Sequence, residues 1–241
     1  MKKNVIILTH GWTGSSVFTA LLGEAGYWYG SDTFKKPDYD TYENFELIEL
    51  NKRLLSELNY TGNREHEIIS LQTLEELAQR AASIDLSPYR KFIENCQQNK
   101  PWIWKDPRLT WTIRVWAKLL DLKNIAFVIL TRDDEQAWIS CNLRRHIQSK
   151  RFTKAYNHGI TSSLQKFLDE NQCGFVKYEF EDLLLTPDKT IEELNGFLDI
   201  NLTMEDLTSV YRYPLYKKSR NWKDKLEATA IYLKNYKERY R

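Results

Sequence analysis

The chain has little that would place it in a membrane, a disulfide scaffold or a zinc fold. Its longest purely apolar run after the N-terminal strand, Ile125 to Leu130, is six residues, whereas a membrane span needs roughly twenty. Cysteine is scarce. Cys96, Cys141 and Cys173 are odd in number, far apart and free of any C-x-x-C spacing, which argues against a disulfide framework or zinc site and fits a reducing, cytoplasmic compartment. Charge of one sign is also missing: Lys+Arg 35 stand against Asp+Glu 33, giving no global field for nucleic acid or for a polybasic membrane anchor. Met1-Lys2-Lys3 is followed by only Val5 to Leu8 as an apolar run, so the N-terminus reads as a strand, not a leader. No internal repeat or low-complexity tract interrupts the chain.

What is present is α/β patterning. Asn4–Leu8, Trp102–Lys105, Ile125–Leu130 and Phe175–Phe180 read as buried strands separated by helical patterns, which predicts a parallel β-sheet flanked by helices. A length of 241 residues suits one domain over 1–241, with a core of 4–200 and a helical, basic segment at 201–241. Leu47, Leu50, Leu54, Leu55 and Leu58 fall at helical spacing, and Thr73 with Glu76 reads as a capping box. Ser87-Pro88, Asp133 and Thr186-Pro187 open further helices. The polar stretch from Ile147 to Thr161 reads as a mobile or substrate-facing connection.

The first strand breaks into His10-Gly11-Trp12-Thr13-Gly14-Ser15-Ser16. Glycines permit a tight turn, small hydroxyl residues leave backbone N–H groups open, and the next helix points its positive end at the loop. The loop suits an anion. It lacks the Walker A lysine, because Ser15 follows Gly14, which disfavours a P-loop kinase. An α/β-hydrolase would need a G-x-S-x-G elbow downstream; the only glycines four apart, Gly26 and Gly30, enclose Trp28.

A second anion-binding pair follows the third strand, where Arg132 precedes Ser140 by eight positions. A strand-end guanidinium and a hydroxyl two helical turns on can converge on one phosphate. With the loop, these residues resemble the two anion sites of the sulfotransferases that use 3'-phosphoadenosine-5'-phosphosulfate (PAPS). Three more segments extend the resemblance to the bacterial members. They are Trp104-Lys105-Asp106-Pro107-Arg108-Leu109; Phe180-Glu181-Asp182-Leu183-Leu184 with Thr186-Pro187 and Phe197-Leu198; and Tyr42-Glu43-Asn44 with Asn51 and Leu54-Leu55.

The resemblance implies a P-loop NTPase-like sulfotransferase fold and transfer of a sulfuryl group from PAPS to a hydroxyl or amine of a glycan, lipid or small-molecule acceptor, leaving 3',5'-ADP. It requires no metal. Gly11, Trp12, Thr13, Gly14, Ser15 and Ser16 are expected to hold the 5'-phosphosulfate, and Arg132 and Ser140 the 3'-phosphate. Arg220, in the basic run Lys217 to Lys223, is expected to close over the same phosphate. Trp12 departs from the family, which carries Lys or Arg there. Lys105 is the expected replacement for that cation, with Arg108 in reserve; the bland alternative for Lys105 is an ion pair with Asp106. Glu43 is the expected base. His10 competes with it, for proton transfer, for cation stabilisation or merely for tying down the loop. Phe180 or Trp138 is expected to stack on adenine, and Tyr27, Trp28 and Tyr29 to line the acceptor pocket, while Trp102, Trp104, Trp111 and Trp116 read as core. The alternatives to a sulfotransferase are a PAPS or 3',5'-ADP-binding protein with little transfer activity and a P-loop small-molecule kinase.

Overall fold

A computed structural model of the chain describes residues 2–64, 67–212 and 222–239. Its strands are β1 (Asn4–Thr9), β2 (Thr33–Lys36), β3 (Tyr39–Asn44), β4 (Ile103–Lys105), β5 (Ile125–Thr131) and β6 (Phe175–Glu179). The helices in chain order are α1 (Ser15–Glu24), α2 (Phe45–Glu57), α3 (Leu71–Arg80), α4 (Ser87–Gln98), α5 (Leu109–Trp116), α6 (Asp134–Leu143), α7 (Lys150–Glu170), α8 (Phe180–Leu185), α9 (Pro187–Leu198), α10 (Met204–Val210) and α11 (Trp222–Lys234). Four strands form a parallel sheet in the order β4-β1-β5-β6. The expected α/β architecture, a parallel sheet flanked by helices, is present.

Strand alternation divides the core into two layers. Ile6, Leu8, Trp104, Ile125, Phe127 and Ile129 face one layer, built with α2, α3, α4, α5 and α7. Val5, Ile7, Ile103, Ala126, Val128 and Leu130 face the other, built with α1, α8, α9 and α10. Because both of their faces are covered, the central strands β1 and β5 read as continuous apolar runs. The four tryptophans expected in the core are there, each at most 1 % exposed. Trp104 stacks on Trp102 at 4.7 Å and meets Trp116 edge-on at 4.9 Å, contacts worth about 0.5–1.5 kcal/mol each beyond burial.

Several local expectations change. The stretch from Ile147 to Thr161 is not a loop: α7 begins at Lys150, with the Ser149 hydroxyl accepting from Phe152 N. Its buried face includes Thr153, Asn157 and Ser163, so the apolar period is broken by polar residues that the fold nevertheless buries. The cap of α3 is Ser70, whose hydroxyl accepts from Thr73 N, and not Thr73 itself. Phe180 opens α8 and does not end β6. An antiparallel hairpin, β2–β3, is present beyond the four expected strands. Its signal was Pro37-Asp38 between two β-prone runs.

Helix α2, which follows the hairpin directly, is tied to the sheet through a buried polar network at the start of α5. Asn51, wholly buried on α2, donates through Nδ2 to Asp106 Oδ2 at 2.8 Å, and its Oδ1 accepts from Thr112 Oγ1 and Trp116 Nε1. Asp106 also accepts from the backbone N and Nη1 of Arg108. Removing Asn51 would take the acceptor from buried Trp116 Nε1 and one bond each from Asp106 and Thr112, which keep contacts with Arg108, and an unpaired buried donor is costly. Asn51→Ala is expected to lower stability by about 3 kcal/mol, read as a shifted urea midpoint; an unchanged midpoint would mean that the network does not hold this corner.

Candidate active site

In a parallel sheet the carboxyl ends of the strands share one edge, and the loops that leave them meet there. All four strands of this sheet contribute: β1 leads to the anion loop, β4 ends at Lys105, β5 leads to Arg132 and β6 to Phe180. They border a cleft of about 1610 Å³, whose opposite wall is the β2–β3 hairpin. That volume exceeds the several hundred Å³ of a one-ligand pocket.

The anion loop is built as its composition suggests. Gly14, the N-cap of α1, takes φ 69°, and a Cβ there would lie 2.3 Å from the Phe180 ring, so only glycine fits. The first N–H groups of α1 lack intrahelical partners and face the strand-end edge. The Thr13 hydroxyl turns inward to Thr9 and His10, leaving its backbone to the loop face. Trp12 has φ 73°, a left-handed conformation uncommon for a bulky side chain.

Arg132 and Ser140 are brought together. Arg132 Nη1 donates to Ser140 Oγ at 3.0 Å and to the Trp12 carbonyl at 2.9 Å, so the strand-end guanidinium also pins the anion loop. Its Nε pairs with Glu181 Oε1 at 3.3 Å, and Glu181 Oε2 accepts from Asp133 N. Glu181, 2 % exposed, orients the arginine. Glu181 is not among the residues expected in the site, and its sequence signal is a carboxylate in the first turn of the helix after a strand.

Lys105 and Glu43 also meet. Lys105 Nζ lies 2.8 Å from Glu43 Oε1 and 3.5 Å from Ser16 Oγ, with its side chain 1 % exposed. The alternative pairing with Asp106 is not found: Asp106 engages Arg108 and Asn51. A buried ammonium therefore stands beside the anion loop although Trp12 supplies no charge there.

His10 is buried, and its Nδ1 donates to the Gly11 carbonyl at 2.8 Å. Burial pushes its pKa down to about 4, against smaller opposing contributions from that hydrogen bond and from Asp134. The ring is neutral at physiological pH, with Nε2 as an acceptor. Cation stabilisation, one of its expected roles, is thereby removed.

Other expectations are corrected by placement. Tyr27 is buried in the core, and Trp28 bridges to Trp102 at the entry end of β4, away from the strand-end cleft; Tyr29 packs on Tyr42. None of the three lines the cleft, whose aromatic residues are Trp12, Phe34, Tyr39, Tyr42, Tyr156, Phe180 and Tyr211. Trp138 is buried, donating to the Gln148 carbonyl under Tyr232, so Phe180 is the stacking candidate that reaches the cleft. Asn157, on the helix read as a loop, lines the cleft at 4 % exposure, and its Nδ2 has no partner among the described residues. Arg220 lies outside the described residues. No helix among the described residues is long and apolar enough to cross a membrane.

With this geometry in place, comparison with solved structures identifies the fold. The chain is similar to the sulfotransferase domain of the olefin synthase from Synechococcus PCC 7002, with TM-score 0.55 and 13 % identity over 97 % of this chain and 96 % of that one. It is similar also to the sulfotransferase domain of the curacin biosynthetic pathway, with TM-score 0.56 and 15 % identity over 97 % of each chain. No family model matches the sequence, and no curated protein sequence matches it. The likeness is one of fold.

The depressed His10 pKa has a signed consequence for stability. Unfolded, the imidazole takes up a proton below about pH 6.5; folded, it stays neutral down to about pH 4. Stability is therefore expected to fall as pH drops through that window, by about 3 kcal/mol in total. Urea titrations at several pH values should show this slope, and His10→Asn, which keeps a donor for Gly11 O, should flatten it.

Proposed function

We propose that the protein transfers a sulfuryl group from PAPS to an acceptor hydroxyl or amine. The observation that carries this reading is the 3.0 Å approach of Arg132 Nη1 to Ser140 Oγ beside the anion loop. Two anion sites then share one strand-end edge, matching a nucleotide with a phosphate at both ends of its ribose. The sulfotransferase fold supports the same reading.

The residues present fit such a donor. Backbone N–H groups from Thr13 to Ser16, with the Ser15 and Ser16 hydroxyls, would hold the 5'-phosphosulfate. Arg132, kept in place by Glu181, would hold the 3'-phosphate with Ser140. Phe180 offers a ring at the mouth of the loop for the base. Bound PAPS supplies the activated sulfuryl group; the chain supplies orientation, charge and a proton acceptor.

Lys105 is the cation for charge on the bridging oxygen. Its ammonium sits within 3.5 Å of Ser16 Oγ, so a neighbouring strand delivers what Trp12 lacks. Glu43 is the proposed base, a carboxylate on the hairpin wall that can take the acceptor proton. Its contact with Lys105 couples the two: proton arrival at Glu43 releases the ammonium toward the leaving oxygen. Neutral His10, with Nε2 open as an acceptor, is the reserve base. The buried Lys105 favours turnover over a binder with little transfer, and nothing in the loop favours a kinase.

Calorimetry with 3',5'-ADP, ADP and ATP tests the donor. The parent should prefer 3',5'-ADP by at least about ten-fold, corresponding to one charge-assisted phosphate contact, and Arg132→Ala should erase the preference. Equal affinity for 3',5'-ADP and ADP would sink the reading. Turnover is a separate test, using labelled PAPS and a panel of glycans, lipids and phenols. Lys105→Ala and Glu43→Gln are each expected to lower kcat by roughly 10²–10³, with a smaller change in 3',5'-ADP binding; unchanged rates would remove these roles.

A further inference from the structure

The cleft contains a second basic group of residues that the phosphosulfate reading does not use. Lys105, Arg108 and Arg132 each pair with a carboxylate: Glu43, Asp106 and Glu181. Lys36 and Arg144 do not. Both line the cleft, and neither has a carboxylate within 4.0 Å among the described residues. They sit instead against two shared rings. Arg144 Cζ is 5.1 Å from the Trp12 centroid and 5.9 Å from that of Tyr39, while Lys36 Nζ is 5.9 Å and 5.6 Å from the same two. Arg144 Nη1 also donates to the Tyr39 hydroxyl at 3.0 Å, and His146 closes on Trp12 at 4.9 Å.

Two cations gathered on an aromatic platform repel each other, and the rings only partly offset that cost at an exposed site. Burial raises the Tyr39 pKa, but the hydrogen bond from Arg144 and the charges of Arg144 and Lys36 outweigh it and leave it below the ordinary value. The local field therefore favours negative charge. Position then decides which ligand brings it. Lys36 and Tyr39 belong to the hairpin that also carries Glu43, the proposed base, whereas the candidate 3'-phosphate contacts come from β5 and α6.

We propose that Lys36 and Arg144, on the Trp12–Tyr39 platform, form an acceptor subsite for an anionic oxygen group, so that the acceptor is a hydroxyl or amine compound that also carries a carboxylate or a phosphate ester. The word acceptor rests on the sulfuryl-transfer reading; the anion subsite does not. Trp12 then has a positive reason to replace the family's basic residue. Its left-handed backbone aims an indole at the cleft mouth and gathers two cations there.

Three probes with one phenol scaffold test this: 4-hydroxybenzyl alcohol, 4-hydroxybenzoate and 4-hydroxybenzyl phosphate, titrated by calorimetry with and without saturating 3',5'-ADP. At low salt, at least one charged probe should bind about ten-fold or more tightly than the alcohol, with the gap narrowing in high salt. Which of the two is tighter distinguishes carboxylate from phosphate. Lys36→Gln and Arg144→Gln should each shrink the gap, their combination should abolish it, and Arg144→Lys should restore part of it. Equal binding of all three probes, binding of none, or a gap that survives the double variant overturns the proposal. If 3',5'-ADP fails to outbind ADP, the donor reading falls instead, and the titrations without nucleotide still decide the subsite.

Discussion

The site depends on one guanidinium. Arg132 leaves the end of β5 and donates to Ser140 on α6 and to the Trp12 carbonyl in the loop after β1, while Glu181 at the start of α8 holds its Nε. Three strand ends are thereby fixed relative to one another by a single planar group whose donors point in set directions. A lysine could supply the charge but not this geometry. The same arginine that would bind a phosphate thus keeps the anion loop in register with the sheet before any ligand arrives.

A second buried cation organises the other half of the cleft. Lys105, at the end of the edge strand β4, reaches Glu43 on the hairpin and Ser16 on α1. One residue further, Asp106 is clasped by Asn51 and Arg108. Burying an ammonium is costly unless it is paired and hydrogen-bonded, and here the partner is a residue that can itself take part in chemistry. The edge strand is only three residues long, yet the network behind it makes its exit a rigid corner. Trp12 ceases to be an anomaly in this setting: charge at the loop comes from the neighbouring strand, which frees the indole to face the cleft mouth.

Much of this was legible in the amino-acid order. The sequence pattern specified the four sheet strands to within a residue or two, most directly for β1 and β5, which are buried on both faces and leave an uninterrupted apolar signal. Asp133 and Pro187 marked helix starts through local capping chemistry that operates over two or three residues. What was not legible has equally local reasons. Helix α7 buries Thr153, Asn157 and Ser163 among its apolar residues, so its core-facing stripe is interrupted by polar side chains. The hairpin lies outside the sheet and is half exposed, so its strands never acquire a continuous apolar run. The aromatic triplet Tyr27 to Tyr29 looked suited to a ligand, but pairing with the start of β4 puts it at the wrong end of the sheet.

The four strands of the parallel sheet, their pairing sense, the anion loop and the separation of Arg132 from Ser140 can be read from the amino-acid order, because each is set by period, composition or a fixed count of residues. Which groups share an edge is set by long-range packing. Lys105 and Glu43 are 62 residues apart, Arg132 and Glu181 are 49 apart, and Tyr39 and Arg144 are 105 apart. No local preference encodes such pairs. The sheet order β4-β1-β5-β6 sets the strand ends of Lys105 and Arg132 along one edge, and the separate β2–β3 hairpin brings Glu43 and Tyr39 to that edge, so isolated charged residues become a site.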